Sequence, residues 1–213
     1  MDTIKSKYHE TLAATVIKNL EKRQMEGYYC PTVEDAEKLA FSFLKDGQTV
    51  SFGGSMTLEE TGMLTALRHD PSIHLIDRST AKTPDETKKM YHDALSSDVY
   101  FMSTNAITTG GELVNIDGTG NRVAALIYGP ETVVILAGMN KIAANVDEAL
   151  SRVHNVATAQ NCIRLDKKTP CAITGACADC LSPDCICNQV VITRRSGIKG
   201  RMKVLLIGES FGY

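Results

Sequence analysis

The chain has 213 residues, enough for one ordinary domain whose core needs neither metal nor disulfide to hold it. Its 43% hydrophobic and 23% charged residues are ordinary globular composition, and a formal charge of −2 excludes the basic footprint that nucleic acid or an anionic membrane demands. Apolar runs such as Thr132 to Gly138 are strand-sized, far below the roughly 20 residues of a spanning helix. The polar stretch Met1 to Lys7 has no apolar signal region, so the expected location is the cytoplasm.

In chain order, Met1 to Met25 carries Ile4, Leu12, Ala13, Val16, Ile17 and Leu20 at helical spacing and predicts a long amphipathic helix that joins subunits or covers a sheet. Thr32 caps a second helix running to about Leu44, and Asp46-Gly47 turns the chain. Gln48 to Phe52 predicts a strand that ends in Gly53-Gly54-Ser55, and Thr57 to Leu67 a helix. Ile73 to Ile76 suits a strand. Thr83-Pro84-Asp85-Glu86 combines an N-cap, a proline at the first helical position and a capping-box glutamate. Asp98 to Ser103 and Glu112 to Ile116 are further strands, and Asn121 to Tyr128 a short helix. Thr132 to Ala137 is uninterruptedly apolar, as a parallel strand covered on both faces is. Asn145 to about Gln160 is helical, and Val190 to Thr193 and Met202 to Ile207 are the last strands, around an exposed Arg194 to Gly197 loop. This alternation predicts an α/β fold of three layers, a mostly parallel sheet with helices on both faces. It is read as a single domain over residues 1–213, with a cysteine-rich segment, 166–188, inside it.

Two loops carry the functional signal. Gly53, Gly54, Ser55 and Thr57 sit where a strand hands over to a helix, so backbone N–H groups, hydroxyls and the helix dipole can face a phosphate or carboxylate. A tight turn with a helix cap explains the same residues. The second loop runs from Thr104 to Arg122. A hairpin with turns at Gly110-Gly111 and Asp117-Gly118 accounts for its glycines. It accounts less well for the cluster of Asn105, Asn115, Asn121 and Arg122, because an arginine at a helix start opposes the dipole unless an anion or carboxylate is near. The ligand-binding candidates here are Asn105, Thr108, Gly110, Gly111, Asn115, Asp117, Gly118, Thr119, Gly120, Asn121 and Arg122. They suit a small anionic substrate or a nucleotide.

Ser51 to Gly62, Thr104 to Arg122, Tyr128-Gly129-Pro130 and Ala137 to Ile142 together resemble the LUD domain of lactate utilisation protein C and its relatives, over about residues 1–193. The resemblance implies a fold related to glucosamine-6-phosphate deaminase, ribose-5-phosphate isomerase and coenzyme A transferases. It also implies a role with iron-sulfur partner subunits in oxidising L-lactate to pyruvate. In the wider superfamily's sugar-phosphate isomerases an aspartate works as acid or base where this chain has Asn105. An amide does not exchange a proton near neutral pH, which leaves Glu112 as the candidate base or carboxylate nucleophile against the alternative of an exposed strand glutamate.

Five of the seven cysteines, Cys171, Cys177, Cys180, Cys185 and Cys187, crowd into the segment 166–188. In a chain with no export signal such crowding points to metal or redox chemistry, zinc or an iron-sulfur cluster, or else to reduced thiols in a surface loop. Longer relatives share Thr-Pro-Cys, Gly-x-Cys-x-Asp-Cys and Ile-Cys-Asn, and that resemblance implies Cys171, Cys177, Cys180 and Cys187 as ligands with Cys185 spare. Cys30 and Cys162 read as small buried hydrophobes. Three functions follow: a component of lactate or organic-acid utilisation, a free-standing transferase or isomerase using Glu112, or a non-catalytic assembly or sensor subunit. Any of them could be a homo-oligomer.

Overall fold

The computed structural model describes residues 3–213. In chain order the elements are α1 (Thr3–Lys22), β1 (Glu26–Cys30), α2 (Val33–Phe41), β2 (Thr49–Phe52), α3 (Met56–Glu60), α4 (Met63–His69), β3 (His74–Ile76), α5 (Pro84–Ala94), β4 (Val99–Met102), β5 (Ala106–Thr108) and β6 (Leu113–Asp117). There follow α6 (Asn121–Ile127), β7 (Thr132–Gly138), β8 (Ile142–Ala143), α7 (Val146–Arg152), α8 (Ala159–Arg164), α9 (Pro170–Thr174), β9 (Gln189–Thr193) and β10 (Met202–Ile207). Six strands form one sheet in the order β1-β10-β7-β4-β2-β3, and every pairing in it is parallel.

Alternation of side chains sorts the core into two layers, as the period of two in a strand requires. Tyr100, Met102, Val133, Ile135, Val204 and Leu206 face α1, α5 and α6, where Ala13, Val16, Leu20, Ala94, Ala125 and Leu126 meet them. Val99, Phe101, Val134, Leu136, Leu205 and Ile207 point the other way, against Ala36, Ala40, Leu58, Leu64 and Leu67 of α2, α3 and α4. The expected three-layer α/β arrangement is therefore present. β4, β7 and most of β10 are buried on both faces, which is why they are written as unbroken apolar runs.

Local signals hold where a cap is involved. Thr32 accepts from the Asp35 N–H at 3.2 Å, Thr83 from that of Glu86 at 3.1 Å, and Asn145 from that of Glu148 at 2.9 Å. Differences lie elsewhere. The helix expected from Met1 to Met25 spans Thr3–Lys22, its first two positions lying outside the described residues. The single helix expected over Thr57 to Leu67 is two, broken at Gly62, whose φ of 74° is left-handed. The loop from Arg194 to Gly197 is not wholly exposed, since Ser196 is buried and donates its N–H to the Arg23 carbonyl at 2.9 Å.

A second, four-stranded sheet, β8-β5-β6-β9, branches from the end of β4. β5 and β6 form the antiparallel hairpin of the long polar loop, and Ala106, Val114 and Ile116 pack on Ala149 and Val153. The helix expected from Asn145 to Gln160 continues to Arg164, but Val153–Thr158 is a π-helical turn between α7 and α8. Such widened turns carry an extra residue and are frequent at functional sites. Arg201, buried, donates to the carbonyls of Ala125, Leu126 and Pro130 at 2.7–2.8 Å, which fixes the far end of α6. Among the described residues no helix is long and apolar enough to cross a membrane.

Candidate functional site

The carboxyl ends of β2, β4 and β7 open into a cavity of about 470 Å³. Ligands in open parallel sheets bind at this end. The wall is built from Gly54, Ser55, Met56 and Thr57 after β2, from Ser103, Thr104 and Asn105 after β4, and from Lys141 after β7. Ile116, Asp117, Gly118, Thr119, Asn121 and Arg122 add the return of the hairpin, and Ala157, Thr158 and Asn161 the π-helical turn and α8. Five basic side chains, Arg78, Arg122, Lys141, Arg164 and Lys167, line it, and among the described residues Asp117 is the one side-chain carboxylate that does.

The glycine loop works by absence of side chains. A Cβ on Gly53 would lie 3.0 Å from both Arg122 Cγ and Tyr100 Oη, and one on Gly54 would collide with the Arg78 guanidinium. Both arginines are thus allowed to lie against the loop backbone. Arg78 also stacks over the Tyr91 ring, 5.6 Å from its centroid. Ser55 caps α3, its Oγ accepting from the Leu58 N–H at 3.4 Å. Because α3 has only five residues, cations rather than a helix dipole supply the positive field.

Arg122 is braced on every side. Its Nη1 donates to the Ser103 carbonyl at 3.1 Å and Asn115 Oδ1 at 2.6 Å, and its Nη2 to Asn105 Oδ1 at 3.0 Å and the Ile116 carbonyl at 2.7 Å. Nε faces Asp117 Oδ2 at 3.4 Å, and the side chain is 11% exposed. Four of the fork's five N–H donors are hydrogen-bonded, and the fifth, on Nε, faces its counter-ion. Asp117 in turn accepts from the Thr119 and Gly120 N–H groups at 3.1 and 2.7 Å with its other oxygen. Asn105 Oδ1 also accepts from the Ile116 N–H at 3.0 Å, and the Asn105 carbonyl from Arg152 Nη1 at 2.8 Å. The cluster of asparagines and arginine therefore holds the loop's shape. Asn115 Nδ2, buried beneath the site, has no hydrogen-bond partner among the described residues.

Of the other expected site residues, the ligand candidates Thr108, Gly110 and Gly111 and the candidate base Glu112 lie at the far turn of the hairpin, against α1 and outside the cavity wall. Arg23 Nε donates to the Gly110 carbonyl at 2.6 Å, Asn19 Nδ2 to the Thr109 carbonyl at 2.9 Å, and Gly111 abuts the backbone of Asn19 and Leu20. Glu112 pairs with Arg23 and accepts from Thr108 Oγ1. It ties hairpin to helix. Gly53, Asn115 and Gly120 support the wall without lining it.

Lys141 is the residue that sequence reasoning passed over. It follows the central strand β7, is 4% exposed, and donates from Nζ to Thr57 Oγ1 at 2.8 Å and Ser103 Oγ at 3.0 Å. Burial first, then the charges of Arg152 and Arg122, bring its pKa down to about 7, with Glu60 opposing. Behind it the segment 209–212 crosses the site. The Gly212 N–H donates to Glu60 Oε2 at 2.6 Å, while Asn140 holds the Phe211 N–H and the Gly212 carbonyl, both at 3.2 Å. The visible signal was a lysine just past an all-apolar strand. Arg78, Ser103, Arg164 and Lys167 carried no such signal.

The cysteine segment closes one side through Cys185 and Ile186, docked by an Asn188 Nδ2 bond to the Gly118 carbonyl at 2.8 Å. Its thiols stand in different surroundings. Cys171 is buried beside Cys162 and Ala159, and Cys162 is the small buried hydrophobe expected. Cys177 Sγ lies 3.7 Å from His154 Nδ1, and Cys180 Sγ 3.7 Å from Ser182 Oγ. Burial raises the Cys162 thiol and pushes Cys187 up to about 12, while hydrogen bonds from Ser182 lower Cys180. Among the described residues no three His, Cys, Asp or Glu side chains converge on a position that could hold a metal ion. As placed, Cys171, Cys177, Cys180 and Cys187 do not fit a zinc or iron-sulfur donor set.

A family model described as the LUD domain matches residues 13–207. A search of curated proteins finds no match. Among solved structures, a DUF162 family protein from Deinococcus radiodurans aligns over 93% of this chain and 98% of its own, with a TM-score of 0.53 and 11% identity. A ribose 5-phosphate isomerase A from Methanocaldococcus jannaschii covers 53% of this chain and 54% of its own, with a TM-score of 0.33 and 19% identity. The eIF2B-beta2-delta2 complex from C. thermophilum covers 54% and 43%, with a TM-score of 0.37 and 18% identity. The first of these likenesses concerns the fold alone.

Proposed function

The chain belongs to the LUD domain family, and on that premise we propose that its cavity takes up a small organic anion, a carboxylate or a phosphate ester, in lactate or related organic-acid utilisation. One observation carries the reading: four cations, Arg78, Arg122, Arg164 and Lys167, line the cavity beside the amine of Lys141, and its one side-chain carboxylate among the described residues, Asp117, is already committed to Arg122. Among the described residues Arg78 has no carboxylate partner and Arg164 bonds Asn161 alone, so these are the cations with most capacity for a ligand. A cavity of about 470 Å³ suits a small metabolite. Glu112, outside the wall, gives no support to a transferase or isomerase reading that depends on it.

Calorimetry with L-lactate, pyruvate, inorganic phosphate and ribose 5-phosphate tests the proposal. Saturable binding of at least one, weakened by salt and roughly tenfold by Arg78→Ala, is the expected result, a tenfold loss being about 1.4 kcal/mol. Absence of saturable binding across the set, or binding indifferent to both salt and Arg78, overturns it.

A further inference from the structure

Lys141 offers the cavity more than charge. Its Nζ has two acceptors, Thr57 Oγ1 and Ser103 Oγ. Both of those hydroxyls have somewhere else to donate: Thr57 to the Phe211 carbonyl at 3.3 Å, Ser103 to Thr57 Oγ1 or the Thr104 carbonyl, each at 3.3 Å. Each oxygen is therefore free to accept from the amine. Two acceptors match the two hydrogens of a neutral amine and leave its lone pair unassigned, whereas an ammonium carries a third hydrogen. Among the described residues Nζ has no carboxylate within ion-pair reach. Arg152 and Arg122 disfavour its charge from one side, and Glu60 is the carboxylate whose field opposes them. With a pKa of about 7, a large share of the amine is neutral near neutral pH.

We infer, resting on the anion-cavity reading, that Lys141 is a nucleophile that condenses with the carbonyl of a small carbonyl-bearing anion held by the cavity's cations. The Nζ lone pair attacks the carbonyl carbon, a C–N bond forms, and the carbonyl oxygen takes up a proton as the nitrogen loses one, giving a carbinolamine. The C–O bond then breaks, the hydroxyl leaves as water with one further proton from solvent, and a protonated imine remains. No oxidant or reductant is needed. The shared chemistry is an anionic group and a reactive carbonyl in one small molecule, adjacent in a 2-oxo acid and at opposite ends of the carbon chain in a phosphorylated aldose.

Reductive trapping tests the inference. The full chain is incubated near neutral pH with cyanoborohydride and either pyruvate or ribose 5-phosphate, then digested and mapped by mass spectrometry, with calorimetry on the same probes. The expected result is a reduced adduct on Lys141 with one of the two probes, at least tenfold above any other lysine, and lost in Lys141→Arg. Peptide mapping of the unsubstituted chain locates the adduct even where that variant folds poorly. The probe that gives it tells a 2-oxo acid from a sugar phosphate. A probe that binds without modifying Lys141 overturns the imine chemistry and leaves the anion cavity standing, while a chain that binds neither probe overturns the inference, and the reading it rests on falls with it only when L-lactate and inorganic phosphate fail to bind as well.

Discussion

Arg122 separates two views of the polar loop, because a ligand-binding arginine and a structural one respond differently to Arg122→Met. In the structure its guanidinium meets five oxygens, those of Ser103, Asn105, Asn115, Ile116 and Asp117. Methionine fills much of the stem's volume but leaves the Asp117 carboxylate without its cation and four further oxygens short of a donor. Breaking a buried ion pair from one side costs about 3–5 kcal/mol. In a chain of this size each kcal/mol moves the Tm by about 2–4 °C, so a fall of about 10 °C is expected. Arg122→Lys should recover only part of it, since one ammonium cannot occupy a planar five-donor fork. Urea titrations followed by far-UV circular dichroism measure the loss directly. If Arg122→Met stays within about 1 kcal/mol of the parent while anion binding disappears, Arg122 is a ligand group and the bracing argument is wrong.

Lys141 predicts a pH dependence. Its folded pKa of about 7 lies below the 10.5 of an unperturbed lysine, so the unfolded chain holds more protons between those values. Stability should rise with pH across that window, at up to about 1.4 kcal/mol per pH unit, and be lowest at and below pH 7. Lys141→Met should abolish the rise and be more stable than the parent near pH 7, and parallel slopes in urea melts would count against a buried, depressed amine. Glu112→Gln removes the pairing with Arg23 at the hairpin's far turn, so it should cost about 1 kcal/mol or less while calorimetric anion affinity stays unchanged; a large loss of affinity would return Glu112 to the site. Chelator treatment is expected to leave the calorimetric Tm where it was, because no three ligating side chains converge in the cysteine segment. A drop accompanied by stoichiometric release of zinc or iron overturns that placement of the thiols.

The parts of the fold that could be read in advance are those decided by near neighbours. Thr32, Thr83 and Asn145 cap helices within three residues of themselves, and Thr132 to Gly138 is apolar throughout because both faces of β7 are covered. β1 went unforeseen because Glu26–Cys30 is an edge strand, only its last residue buried, and its place is set by pairing with β10 at the other end of the chain. The same limit explains the site. Arg122 at the start of α6 announced that a negative group must be near, and Asp117, within the same loop, is such a group.

Lys141 meets its two partners across 84 and 38 residues, and no local pattern brings three strand ends together. What could be foreseen was that loops after parallel strands converge at one end of the sheet; which polar residues there are saturated and which keep spare valence depends on counting donors and acceptors in three dimensions. By that count Asn105, Asp117 and Arg122 are spent on one another and on the backbone, and the spare valence lies with the least conspicuous polar residue at the sheet's end, an amine beyond β7 with two hydroxyls for company and, among the described residues, no carboxylate within ion-pair reach.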